Sequence, residues 1–123
     1  MAMKDFRELK VWAKAHEVAL QIYRVTKAFP KDEIYGLTSQ IRRSSVSVAS
    51  NIAEGCGRGR DTEFARFLEI AMGSANELDY QLLLSRDLSY LDLTAYEPIQ
   101  SNIIECKKML VALTQKLKQD ANR

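Results

Sequence analysis

The sequence predicts an all-α fold: an antiparallel up-down-up-down four-helix bundle, one domain over residues 1–123, that also assembles with copies of itself. Three observations carry this. Apolar residues recur at helical spacing through nearly the whole chain. The 5 glycines and 2 prolines gather almost entirely at three breaks. At least one helix carries two apolar stripes, where a bundle of a single chain needs one about 100° wide. With 123 residues, 46% hydrophobic and 28% charged, the chain can fill one core and has the balance of a globular protein.

The breaks fall at residues 29–36, 55–61 and 88–98, leaving helices over about 6–28, 37–54, 62–88 and 96–118. Each spans roughly 30 Å at 1.5 Å rise per residue, and short loops make consecutive helices antiparallel neighbours. Gly55 is expected to end the second helix in the left-handed conformation, and Asp61 or Thr62 to cap the third. Thr94-x-x-Glu97 reads as a capping box for the fourth.

The first helix has a polar stripe, Arg7, Lys10, Lys14, Glu17, Gln21 and Arg24, and a core stripe, Val11, Ala15, Val18, Ile22, Val25 and Phe29. A third face holds Leu9, Trp12, His16, Ala19 and Tyr23. The second helix buries Leu37, Ile41, Val48 and Ile52 but is rich in serine and alanine, which permit close helix approach. Its polar line, Gln40, Arg43 (or Ser44), Ser47, Asn51 and Glu54, is expected to meet Ser74, Glu77 and Gln81 of the third helix. Buried polar groups cost a few kcal/mol each unless paired, so this seam should be hydrogen-bonded, with Arg43 pairing with Glu77. In the third helix Phe64, Leu68, Ala71, Ala75, Leu78 and Leu82 form one apolar seam. Phe67, Ile70, Leu84 and Leu88 flank the polar seam residues on another. The fourth has a single seam, Ile99, Ile103, Cys106, Leu110, Leu113 and Leu117.

These residues also carry a resemblance. Phe29-Pro30-x-x-Glu33-x-x-Gly36-Leu37-x-x-Gln40-x-x-Arg43, then Ser47-x-x-x-Asn51-Ile52-Ala53-Glu54-Gly55, resembles a signature of the bacterial four-helix-bundle proteins encoded by intervening sequences of 23S rRNA genes. Phe67-Leu68-x-Ile70-Ala71-x-Gly73-Ser74-x-x-Glu77-Leu78 resembles that family's second signature, and Leu9-Lys10-Val11-Trp12 fits its start. The resemblance runs from about Phe6 to Lys118. It implies a ring-like homopentamer. It also implies a relation to the accessory variability proteins of diversity-generating retroelements, which bind nucleic acid and partner a reverse transcriptase.

The inventory argues against an enzyme. His16 is the single histidine, and no Glu lies three residues before it, as a di-iron bundle requires. With Cys56 and Cys106 far apart in sequence, no zinc site of usual make-up forms, and no cofactor is implied. His16 reads as a packed or interface residue. No apolar segment reaches the ~20 residues of a membrane span and the first residues are not a signal peptide, so a cytoplasmic protein is expected.

Charge is uneven. Residues 1–60 hold 11 Lys+Arg against 6 Asp+Glu, and residues 61–123 hold 7 against 10. The basic candidates for phosphate contact are Arg7, Lys10, Lys14, Arg42, Arg58, Arg60 and Arg66, repeated around an oligomer. No platform of exposed aromatics is expected, which argues against sequence-specific reading of single strands. Two functions stay open. One is a nucleic-acid-binding adaptor contacting structured RNA or DNA through its backbone; the other is a protein-interaction scaffold with no nucleic acid.

Overall fold

In a computed structural model, which describes residues 5–123, the chain folds into four helices. A 3₁₀ turn, Phe6–Glu8, precedes α1 (Lys10–Thr26). A second 3₁₀ turn, Lys31–Glu33, leads into α2 (Leu37–Cys56). Then follow α3 (Asp61–Asp87) and α4 (Leu93–Ala121). α1 packs against α2 and α4, and α3 packs against the same two, which is the square of an up-down bundle.

The expectation of well-matched helices is corrected. α1 has 17 residues and α4 has 29, or about 26 Å against 44 Å at the α-helical rise. The apolar pattern of α1 does extend to Phe6, but Leu9 is extended (φ −81°, ψ 125°) and the Phe6–Glu8 turn is capped separately by the Asp5 carboxylate. Phe6 and Leu9 still pack against the core from this turn.

The core stripes are buried as expected. Ile22, Ile41, Ile52, Leu68, Leu82 and Leu110 are wholly enclosed. Two clusters fill the bundle. One lies between the start of α1 and the end of α4, around Val11, Ile52, Phe64, Leu68 and Leu117. The other lies toward the α1–α2 turn, around Ile22, Phe29, Ile41, Leu82 and Ile99. A void of about 10 Å³, at the limit for one water, sits at their junction beside Ala15, Val48, Ala75 and Cys106.

Three helix ends differ from expectation. Gly55 does not terminate α2; it lies inside the helix, buried where α2 meets α3. A Cβ there would come within 2.6 Å of the Phe67 Cβ, so this glycine is required for close helix approach. The left-handed residue is Gly59 (φ +77°), in the turn that follows. Neither Asp61 nor Thr62 caps α3: Arg60 occupies the cap position and Asp61 is already helical. At α4 the cap is Asp92, whose carboxylate accepts from the Ala95 N–H at 2.9 Å. Thr94 therefore falls in the first turn, and Pro98 stands exposed in the second.

α3 ends in a Schellman motif. The Tyr90 N–H donates to the Ser85 carbonyl and the Ser89 N–H to that of Arg86, with Ser89 left-handed (φ 62°) where glycine is usual.

Candidate nucleic-acid and assembly surfaces

The polar seam between α2 and α3 forms in part. The Ser44 hydroxyl lies 2.9 Å from the Glu77 carboxylate and 3.0 Å from the Gln40 carbonyl. Ser47 and Ser74 hydroxyls are 2.8 Å apart, and the Asn51 amide donates to the Ser47 carbonyl and hydroxyl. These are two short links: the first runs from buried Ser44 to exposed Glu77, and the second joins the half-buried Ser47, Asn51 and Ser74. Arg43 does not pair with Glu77; it is exposed and makes no ion pair among the described residues. The reason is angular. Arg43 and Ser44 are 100° apart around α2, and it is Ser44 that turns toward α3. Glu54 is engaged by Arg58 instead, and the Gln81 side chain is buried with its carbonyl oxygen unpartnered among the described residues.

The seven basic candidates divide between two ends of the bundle. At the end where α1 begins and α2 finishes stand Arg7, Lys10, Arg58, Arg60 and Arg66. Three of these are held by nearby carboxylates: Arg7 by Asp5 at 3.0 Å, Arg58 by Glu54 at 2.8 Å and Arg66 by Glu63 at 3.1 Å. The hydrogen bond with Arg66 lowers the Glu63 pKa below its ordinary value, so that carboxylate stays charged beside the guanidinium. Arg58 and Arg66 also flank the Phe67 ring, at 4.9 and 4.7 Å from its centroid. Lys10 and Arg60 make no ion pair among the described residues. Lys14, farther along α1, turns toward α4 and meets Glu17, Glu105 and Asn102. Its hydrogen bond to Glu17, above all, raises its pKa.

The α1–α2 end is different. Arg24, Lys27, Lys31, Arg42 and Arg43 stand there beside Asp32 and Glu33 of the connecting turn, with Asp87 and Asp92 of the α3–α4 turn at the same end, and none of the five makes an ion pair among the described residues. Glu33 is engaged elsewhere: it accepts from the Tyr90 hydroxyl at 2.7 Å and from the Leu37 N–H at 3.1 Å. Those bonds, the one from Tyr90 first, lower its pKa. The Arg42 Nε donates to the Thr26 hydroxyl at 2.8 Å, and its guanidinium lies 4.8 Å from the Tyr23 ring centroid.

Three tyrosines on separate elements are exposed. Tyr35 is 95% exposed, and Tyr23 and Tyr80 also reach the surface. Periodicity alone had no means to place Tyr35, which lies in the turn before α2. His16 is exposed and stacks on Trp12 with centroids 4.8 Å apart. Cys56 and Cys106 are buried and form no disulfide, and burial pushes the Cys106 thiol up to about 11, far from a reactive thiolate. Among the described residues no three His, Cys, Asp or Glu side chains converge as metal ligands, and no helix is long and apolar enough to cross a membrane.

The fold and its surfaces define a small helical-bundle protein with a divided basic surface and a half-buried polar helix seam. The chain belongs to the family of 23S rRNA-intervening sequence proteins, whose model matches residues 7–112. It is also similar to the crystal structure of a protein with unknown function from the S23 ribosomal protein family of Bacteroides thetaiotaomicron VPI-5482. That similarity covers 85% of this chain and 95% of the other at 29% identity and a TM-score of 0.78. No curated protein matches the chain.

Proposed function

We propose that this protein is a non-enzymatic, self-assembling adaptor that binds nucleic acid through the phosphate backbone. The observation that carries the reading is the set of cations at the α1–α2 end, Arg24, Lys27, Arg42 and Arg43, that make no ion pair among the described residues. A cation already paired offers a phosphate little net field, whereas an unpaired one releases counterions on binding. Lys10 and Arg60 would add to the contact; Arg7, Lys14, Arg58 and Arg66 would contribute less because carboxylates hold them. Assembly would repeat the basic end around the oligomer and multiply weak contacts. Apolar side chains left outside the bundle, Ile70 on α3 and Ile104 and Val111 on α4, support such an assembly.

The test is binding of a structured RNA and of a DNA duplex by fluorescence anisotropy, with mass measured by light scattering. The expected results are salt-sensitive binding and a mass several times the 14.0 kDa of one chain. A monomer with no affinity at low salt would contradict the reading. The same apolar side chains favour a second reading, a protein scaffold, and an oligomer without nucleic-acid affinity would point there.

A further inference from the structure

Among the described residues the α1–α2 turn presents the most exposed large apolar side chain, that of Tyr35, with Ile34 beside it 55% exposed. The Tyr35 ring and hydroxyl have no hydrogen-bond or ring partner among the described residues. The backbone beneath the ring is fixed on both sides. Phe29 and Leu37 are buried in the core. The Gly36 N–H donates to the Glu33 carbonyl at 2.9 Å, and the Glu33 carboxylate accepts from the Leu37 N–H and the Tyr90 hydroxyl. A Cβ at Gly36 would come within 2.7 Å of that carboxylate, so the turn closes tightly on it. Tyr35 is thus held out in water from an ordered support. Covering it would remove apolar surface from water, which favours a partner with a flat apolar face.

The surrounding charge selects that partner. Lys31 lies in the same turn, and Ile34 shares a surface with Arg42 and Arg43. None of these cations makes an ion pair among the described residues. A flat apolar face carried beside phosphates is a nucleobase. We propose that the Tyr35 ring stacks on an unpaired base of a nucleic acid whose phosphates meet the cations of this end. The inference deepens the nucleic-acid reading above and rests on it. Every base has a π-face, so one tyrosine supplies no sequence code. It distinguishes structure instead. Inside a continuous duplex both faces of each base are covered by its neighbours, whereas a loop, a bulge or a single strand offers a free one.

The test titrates the full chain with an RNA hairpin bearing an unpaired loop, a single-stranded oligouridylate and a long continuous duplex of the hairpin's stem sequence, read by anisotropy. The variants are Tyr35→Ala, Tyr35→Phe and Tyr35→Trp, with melting curves as the fold control. Tyr35→Ala should weaken hairpin and oligouridylate binding about 10-fold, the size of one base–aromatic stack, and change duplex binding less than about 2-fold. Tyr35→Phe and Tyr35→Trp should keep affinity within about 2-fold, because stacking needs the ring and not the hydroxyl. All three should melt with the wild type, since the side chain has no partner to lose. In the wild-type complex the Tyr35 ring-proton resonances should move upfield, the signature of a ring lying on a base.

Equal loss from hairpin and duplex in Tyr35→Ala, or no loss from either, would overturn the stack. If the glutamate replacement of Arg24, Lys27, Arg42 and Arg43 still abolished binding, the backbone reading would stand without it. Tyr35→Phe binding as weakly as Tyr35→Ala would also overturn the stack, because the hydroxyl and not the ring would then carry the contact. No binding of any of the three probes by the wild type at low salt would overturn both.

Discussion

The two ends of this bundle are built from similar residues and arrive at opposite electrostatics. Where α1 begins and α2 finishes, arginines sit three or four residues from glutamates, as Arg66 does with Glu63 within α3 and Arg58, in the turn after α2, does with Glu54. At the α1–α2 turn the cations Arg24, Lys27, Arg42 and Arg43 have no such neighbours, and the nearby carboxylate of Glu33 is occupied by Tyr90 and the Leu37 N–H. Counting the basic residues named above, five at each end, does not separate the two. Counting unpaired ones ranks the second higher, and only unpaired charge is readily available to a phosphate. Exposed ion pairs are worth roughly 0–1 kcal/mol each, so the paired end is screened rather than locked.

The largest expected effect breaks this comparison outright. Replacing Arg24, Lys27, Arg42 and Arg43 together by glutamate should lower nucleic-acid affinity roughly 10²–10³-fold near 0.1 M salt. Circular dichroism should remain that of a folded helical protein. An affinity within a few-fold of wild type would mean that the unpaired cations are not the contact.

The paired end can be unmasked. Glu54→Gln with Glu63→Gln frees Arg58 and Arg66, and affinity should rise about 3- to 10-fold, since each freed cation can add a phosphate contact. A fall in affinity would show that carboxylate pairing positions these arginines for binding rather than occupying them.

Packing separates the two ends as well. At the paired end Gly55→Ala sets a Cβ against Phe67 and should destabilise the fold by about 1–3 kcal/mol, measured by urea unfolding. At the turn end the Glu33–Tyr90 bond joins the α1–α2 turn to the α3–α4 turn. The folded Glu33 pKa is below its ordinary 4.5, so its stabilisation is present above that value and lost as pH falls through the folded pKa. The folded Tyr90 pKa is raised above 10.0, so its part is present below that value and lost as pH climbs through the folded pKa. Tyr90→Phe should therefore lower Tm at pH 7, with the difference closing in acid. A difference that persisted after Glu33 is protonated would assign the effect to packing of the ring.

The smallest effect is at Ser89. Ser89→Gly relieves a left-handed residue and should raise stability by up to about 1 kcal/mol. A loss of stability would show that the serine side chain has a role at the α3 terminus.

Much of this was legible in the sequence because it depends on one helix at a time. Leu37, Ile41, Val48 and Ile52 mark the buried face of α2 by spacing alone, and all four are buried. The Ser47–Ser74 contact also follows from antiparallel packing of two polar lines. The spacing of Arg58 from Glu54 and of Arg66 from Glu63 was open to reading too, yet charge totals conceal it. What depended on tertiary approach was not legible. A glycine near a helix end reads as a cap, and only contact with Phe64 and Phe67 reveals that Gly55 is there to admit another helix. Lys14 looks solvated on a polar stripe until α4 brings Glu105 and Asn102 beside it.

The central claim is that phosphate is met by the unpaired cations of the α1–α2 end. Its most direct test is the salt dependence of affinity for a structured RNA, compared between wild type, the Arg24/Lys27/Arg42/Arg43 reversal and a reversal of Arg7, Arg58 and Arg66. Log affinity should fall linearly with log salt for the wild type. The first variant should lose about 3 to 4 units of slope, at roughly 0.9 per phosphate contact, and the second should lose less than about one. A slope lost in the second variant and kept in the first, or no RNA binding at low salt, would contradict the account.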